Sequence, residues 1–194
     1  MLNFKAMYQQ LTYQSAEEAL SVIQSGDRVF VQGSAQTPLY LLRELAKQSH
    51  RLCNVEMVFI TVAGDITIDK PEYADNFHIN CMFVSESVRR AVNEGRADFI
   101  PVFLSDIPDL FKKGYLPIDV ALVQVSPPDK HGYCSLGVSV DIARSAVNTA
   151  KHIIAQINPN VPRTHGDSLI HTDRFTSVVH CSEQLPQVDY GCKV

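Results

Sequence analysis

The sequence predicts an α/β fold, an open and largely parallel sheet with helices on both faces. Three observations predict it. Short β-type runs alternate with helical segments of about ten residues, the rhythm of βαβ units. Several of those runs are continuously apolar rather than alternating, which marks strands covered on both sides. At 194 residues the chain suits a single core of ordinary size, and no repeat of about 20 to 50 residues suggests a solenoid or propeller.

The elements follow in order. Ser15-Ala-Glu-Glu18 is a capping box opening an apolar stripe at Ala16, Ala19, Leu20 and Ile23, with Gly26 as the stop. Arg28–Gln32 is a short strand, and Thr37-Pro38 reads as an N-cap and first-turn pair for a helix carrying Leu41, Leu42 and Leu45. Val55–Val62 and Asn80–Val84 read as strands. Ser85 caps a helix through Val88 and Val92 that stops at Gly95, and Phe99–Phe103 is the next strand. Ser105–Lys113 is a short helix closed by Gly114. Val120–Val125 is a near-continuous apolar strand, Asp141 caps a helix to Ala150, and His152–Ile157 is again strand-like. From Thr172 the pattern decays, so residues 1–180 are expected to form the domain and 181–194 a linker or tail.

Composition excludes several classes. With 17 basic and 21 acidic side chains the net charge is −4, and no Lys/Arg-rich run is present to neutralise a phosphate backbone, so no nucleic-acid partner is expected. The start, Met1–Gln10, lacks an apolar signal-peptide core. No run approaches the roughly 18 apolar residues a membrane span needs, so no membrane partner is expected either. Five cysteines, Cys53, Cys81, Cys134, Cys181 and Cys192, are an odd number without C-x-x-C spacing. They suit free thiols in a reducing cytoplasm. His165 and His171 lack the spacing of a helical zinc pair and His78, His131, His152 and His180 add no ligand pattern, so no metal is expected.

Ligands of open α/β sheets gather at the carboxyl ends of strands, which directs attention to three loops there. Gly33-Ser-Ala-Gln-Thr-Pro38 is a small-residue turn whose amides can face an anion or an oxyanion, although an ordinary tight turn is the plainer account. It is not a Walker A loop, and no G-x-G-x-x-G occurs. The second loop, Ser126–Gly137, brings Pro127, Pro128, His131 and Gly132 together with Cys134 and Ser135. G-x-x-S-x-G is one residue too long for a nucleophile elbow, and Cys134 reads better as a small space-filling residue than as a thiolate beside His131. The third loop, Asn158–Ser168, is stiffened by Pro159 and Pro162 and carries Thr164, His165 and Gly166. Glu86 sits just past a strand, where a nucleophilic carboxylate can face a cleft. The favourable helix start is the plainer account of it.

Together these stretches resemble one family. Ser25–Ala35 with Pro38, Val88–Ser105, Asp119–Asp129, His131–Asp141, Asn158-Pro159 and Pro162–Ser168 are similar to the N-terminal domain of the acetyl-CoA hydrolase/transferase family, the class I coenzyme A-transferases acting on acetate, butyrate and 4-hydroxybutyrate. The resemblance implies a CoA-transferase-like domain and an enzyme of two similar α/β domains. Such an enzyme moves CoA from a short acyl-CoA to a free carboxylate through a glutamyl-CoA intermediate. It implies a substrate loop at Gly33, Ser34, Ala35 and Pro38, with Pro127, Pro128, His131, Gly132, Thr164, His165 and Gly166 on neighbouring loops. The nucleophilic glutamate is expected beyond residue 194, in a C-terminal domain or second subunit, since no residue here matches its motif. No cofactor is implied beyond the CoA thioester as substrate, and a cytoplasmic homo-oligomer is expected. The alternative is a non-catalytic acyl-CoA-binding or partner subunit. A hydrolase using Ser135 or Cys134 is a third reading.

Overall fold

A computed structural model describes residues 11–187. Strands β1 (Arg28–Val31), β2 (Val55–Phe59), β3 (Phe77–Cys81), β4 (Ala97–Phe99), β5 (Val120–Val125), β7 (His152–Ile157) and β9 (Ser177–His180) form one sheet in the order β4-β3-β2-β1-β5-β7-β9. Every pairing in it is parallel. Strands β6 (Tyr133–Ser135) and β8 (Leu169–His171) make a separate antiparallel ribbon.

Alternation along the strands divides the core. Val29, Val31, Met57, Phe59, Ile79, Leu122 and Ile154 face α1 (Ala16–Leu20), α2 (Leu39–Lys47) and α3 (Glu86–Asn93). Phe30, Val58 and Ala121 face α4 (Ile107–Lys112) and α5 (Ala143–Thr149) on the opposite side. Val123, Ala155 and Ile157 lie under the ribbon, which buries Cys134 and Ile170 against them. The expected sheet with helices on both faces is the observed one.

Several boundaries differ from expectation for one physical reason. The sequence extends β2 to Val62, starts β3 at Asn80 and starts β4 at Phe99. Pairing instead fixes β3 at Phe77–Cys81 against Val55–Phe59, and β4 at Ala97–Phe99. The apolar residues that follow each strand leave the sheet at its carboxyl edge instead of pairing, and Phe83 and Phe103 stand 60% and 79% exposed there. Helix α1 ends at Leu20, well before Gly26, whose positive φ serves a turn leading into β1. The capping box is present, with Glu18 N–H donating to Ser15 Oγ at 3.2 Å and Ser15 N–H to Glu18 Oε2 at 3.1 Å.

Thr37 does not cap α2, which begins at Leu39 with Pro38 before it. Its hydroxyl instead donates to Ser34 O (2.7 Å) and accepts Ala63 N–H (3.1 Å), stapling the loop after β1 to that after β2. Ser85 stands at the start of α3 without a side-chain capping hydrogen bond. Asp141 accepts Ala143 N–H at 3.2 Å, one turn-residue earlier than a formal cap. The pattern that fades after Thr172 conceals β9, which adds an edge strand beside β7. Of the expected tail, residues 181–187 carry no regular structure, yet Glu183 is tied back by Arg43 and by the side chains of Asn158 and Asn160. The remainder, with Cys192, lies outside the described residues, as does the start at Met1–Gln10.

Candidate functional site

Sheet order reverses direction between β1 and β5, so the carboxyl ends of these neighbours form the topological switch point where such sheets bind ligands. The loop leaving β1 crosses directly onto the loop leaving β2. Ser34 N–H donates to Thr61 O at 3.0 Å, the two hydroxyls meet at 3.0 Å, and Ser34 forms a parallel bridge with Val62. A side chain at position 33 would place its Cβ 2.4 Å from Thr61 O, which is why the buried turn begins with glycine. Ser34 itself has φ of 53°, a left-handed conformation that costs a non-glycine residue energy and is kept where the surroundings fix it.

This geometry revises the expected oxyanion donors. The Ser34 amide is spent on Thr61 O. Gly33 N–H and Ala35 N–H have no acceptor among the described residues, and Ala35 is the more accessible of the two. Ser34 and Ala35 line a cleft of about 760 Å³ with Thr61–Gly64, Phe83–Ser87, Arg89, Pro186 and Gln187. The cleft therefore sits over the carboxyl ends of β1, β2 and β3. Glu86 is among the lining residues and is also the first residue of α3, where a carboxylate meets the favourable helix start.

Beneath the loops lies a buried amide network absent from the sequence reading. Gln32, Gln36, Gln124, Gln156 and Asn158 are all essentially inaccessible. Gln32 Nε2 donates to Leu136 O (2.9 Å) and Ser139 O (2.8 Å), while Gln32 Oε1 accepts Gln124 N–H (2.8 Å). Gln124 Oε1 in turn accepts from Gln156 Nε2 and Asn158 Nδ2, both at 2.8 Å, and Gln36 Nε2 donates to Gln124 O at 2.9 Å. These bonds hold the loops after β1, β5 and β7 together. The signal was in the sequence: Gln32 closes an apolar run and Gln124 and Gln156 each interrupt one near the carboxyl end of a strand, and Gln124 pairs in register with Gln156.

The expected site residues separate into two groups. Gly33, Ser34 and Ala35 belong to the cleft, and Pro38 is buried behind it. Thr164 reaches the same carboxyl edge, where its hydroxyl donates to Gly137 O at 2.7 Å. His165 and Gly166 are exposed beside it and do not line the cleft. Pro127, Pro128, His131 and Gly132 do not line the cleft either. After β5 the chain turns back across the sheet face: Thr172 N–H donates to Gly132 O, and Thr176, four residues on, already bonds Ile153 at the amino end of β7. The tip at His131 and Gly132 thus points away from Gly33, a correction that follows from the ribbon packing Cys134 and Ile170 onto the sheet.

Neither in-chain nucleophile of the second loop is activated. Ser135 Oγ is buried among Thr164, Ser168 and the Gly137 amide, with no histidine or carboxylate hydrogen-bonded to it among the described residues to take its proton. Burial pushes the Cys134 thiol up to about 12 and the Cys181 thiol up to about 11, so both are protonated and unreactive at neutral pH. Iodoacetamide treatment of the native chain is accordingly expected to label Cys53, the exposed cysteine among the described residues, and to spare Cys81, Cys134 and Cys181. Peptide mapping by mass spectrometry checks this, and rapid labelling of Cys134 would contradict the packing.

Comparison with known proteins agrees with the geometry. A family model described as the acetyl-CoA hydrolase/transferase N-terminal domain matches residues 1–190. The 4-hydroxybutyrate coenzyme A transferase of Clostridium kluyveri is 42% identical over 171 residues, which are 88% of this chain and 40% of that protein. A succinyl-CoA:acetate/propanoyl-CoA:succinate CoA transferase of Fasciola hepatica is 40% identical across 84% of this chain and 34% of its own length. Among solved structures, RipA from Yersinia pestis superposes with a TM-score of 0.85 at 26% identity, over 94% of this chain and 45% of that one. The chain spans well under half the length of the curated relatives it matches.

Proposed function

Because the chain belongs to the acetyl-CoA hydrolase/transferase family, with its N-terminal domain as the matched part, we propose that it builds one wall of a site that passes CoA from a short acyl-CoA to a free carboxylate. The observation that carries this reading is the cleft at the carboxyl ends of β1–β3, with the strained Ser34 and Ala35 in its lining. In the proposed chemistry a glutamate carboxylate from a C-terminal domain or second subunit attacks the thioester carbonyl. CoA thiolate leaves, an acyl-glutamyl anhydride forms, and the thiolate then attacks the glutamyl carbonyl to release the acid and leave glutamyl-CoA. The reverse sequence loads the acceptor acid.

Each addition creates an oxyanion, and a preorganised N–H aimed at it stabilises the transition state more than the ground state. Ala35 N–H is the donor we assign to that role. Thr61–Gly64 and Phe83 enclose the short acyl group. No cofactor is required beyond the CoA thioester itself. Free thiols at Cys53 and Cys81 support placement in a reducing cytoplasm. The exposed Phe103 and Leu104 beside the sheet edge supply apolar surface for a further domain or another copy in a homo-oligomer.

Mixing the chain with a separately produced C-terminal half of the C. kluyveri relative, and assaying acetyl-CoA with a second short carboxylate, tests the reading. The chain alone is expected to give no transfer and the mixture to give turnover. Acyl-CoA binding without turnover in any mixture would instead favour a non-catalytic acyl-CoA-binding subunit. Turnover by the chain alone that disappears in Glu86→Ala would make Glu86 the nucleophile and overturn the proposal.

A further inference from the structure

Residues 181–187 leave β9 and run along the carboxyl edge of the sheet to the cleft. Cys181 N–H donates to Ile157 O at 3.0 Å, and Glu183 O accepts from Asn158 Nδ2 at 2.8 Å and Asn160 Nδ2 at 2.9 Å, which anchors the segment beside β7. The Glu183 carboxylate pairs with Arg43 of α2, whose guanidinium lies 5.9 Å from the Tyr40 ring centroid on the same helix. Glu183 is the last anchor. Gln184–Gln187 make no hydrogen bond among the described residues, yet Pro186 and Gln187 line the cleft with Ser34 and Ala35. From β7 to β1 the chain crosses two inter-strand spacings, about 10 Å in all. Four residues reach at most about 14 Å, so the segment has little slack and its course follows the position of Glu183.

We propose that Arg43 is a positioning residue: by holding Glu183 it keeps Pro186 and Gln187 as a wall of the cleft, and that wall keeps water from a bound thioester. The inference rests on the functional reading above, to which it adds a control of water access. Two features favour it. Leu185 and Pro186 are half-buried although no hydrogen bond fixes them, so packing alone holds them on the protein. Ordering such an unbonded segment costs backbone entropy at every residue, which makes its placement depend on the neighbouring anchor. The chemistry needs the wall because water competes with the acceptor acid. Its oxygen attacks the glutamyl-CoA carbonyl and the C–S bond breaks. One proton passes to the CoA thiolate, and the other leaves to solvent as the glutamate carboxylate re-forms. CoA is then lost to hydrolysis instead of being transferred.

The first test uses the chain alone. Ala35 N–H has no acceptor among the described residues, so burial alone slows its exchange with water, whereas Ser34 N–H in the same turn is bonded to Thr61 O. In Arg43→Gln, NMR is expected to show Ala35 N–H exchanging about fivefold faster with Ser34 N–H unchanged, the factor that corresponds to loss of a half-exposed ion pair worth about 1 kcal/mol. Heteronuclear NOE values at Gln184, Leu185 and Gln187 are expected to fall in the same variant. The charge swap, Arg43→Glu with Glu183→Arg, is expected to restore most of both effects. Unchanged Ala35 exchange, equal acceleration at Ser34 and Ala35, or a swap no better than the single variant would overturn the proposal. In the mixed-half assay, Arg43→Gln is expected to raise the ratio of acyl-CoA hydrolysis to transfer by a similar factor, and an unchanged ratio would overturn it too. Absence of all turnover in that mixture, with the Ala35 and NOE effects present, would refute the transferase reading and leave the Arg43 latch standing.

Discussion

Gln32→Leu is expected to lower folding stability by about 4 kcal/mol, because three buried backbone groups lose their partners and each such loss costs about 1–3 kcal/mol. The groups are Gln124 N–H, Leu136 O and Ser139 O. Strand β1 ends at Val31, one residue too soon to supply Gln124 N–H with a backbone acceptor, and the Gln32 side chain continues the ladder in its place. Leucine matches the volume but offers neither donor nor acceptor, and the site admits no water in compensation because Gln32 is wholly inaccessible. Urea unfolding monitored by far-UV circular dichroism measures the change. A loss below about 1 kcal/mol would mean that the network is replaceable and that the loops do not depend on it.

Gly33→Ala is expected to cost about 3 kcal/mol through overpacking, at the upper end of the usual range because the obstacle is main chain. The new Cβ would meet Thr61 O at 2.4 Å, and that oxygen already accepts Ser34 N–H at 3.0 Å. Relief therefore requires the loops after β1 and β2 to separate, which opens the Ser34–Val62 bridge and displaces the Ala35 amide from the cleft. Adding Thr61→Ala should not restore stability, since the clash is with the carbonyl and not with the side chain. Recovery in the double variant, measured by the same unfolding experiment, would refute the steric explanation.

Much of the fold was legible because strand and helix periods depend on local burial. The runs at Val120–Val125 and His152–Ile157 read as strands from their apolar continuity, and both proved to be buried central strands. The capping box at Ser15 and Glu18 is equally local, needing only a backbone amide and a carboxylate three residues apart. Strand β9 was not legible, since Ser177–His180 is short and lies at the sheet edge, where only pairing with Ile154–Ile157 makes it a strand. The site was legible in part. Gly33–Ala35 announced itself through small residues after a strand, whereas nothing local marked Thr61–Gly64 or Arg89, which join the cleft only through the tertiary fold.

What the sequence determined by itself is the α/β class, the identity of the central strands, the family and the turn at Gly33, because each follows from patterns within a few neighbouring residues or from long matched stretches. The tertiary structure alone decided which loops share a cleft. It carried Thr61–Gly64 and Phe83–Arg89 to Ser34, and sent His131 and Gly132 back across the opposite stretch of sheet. The physical reason is that strand order and the direction of a returning ribbon are set by which apolar faces bury each other across long sequence separations. Cys134 and Ile170 are covered by a cluster that includes Val123 and Ala155, and that packing turns the tip of the second loop away from the cleft its sequence position had suggested.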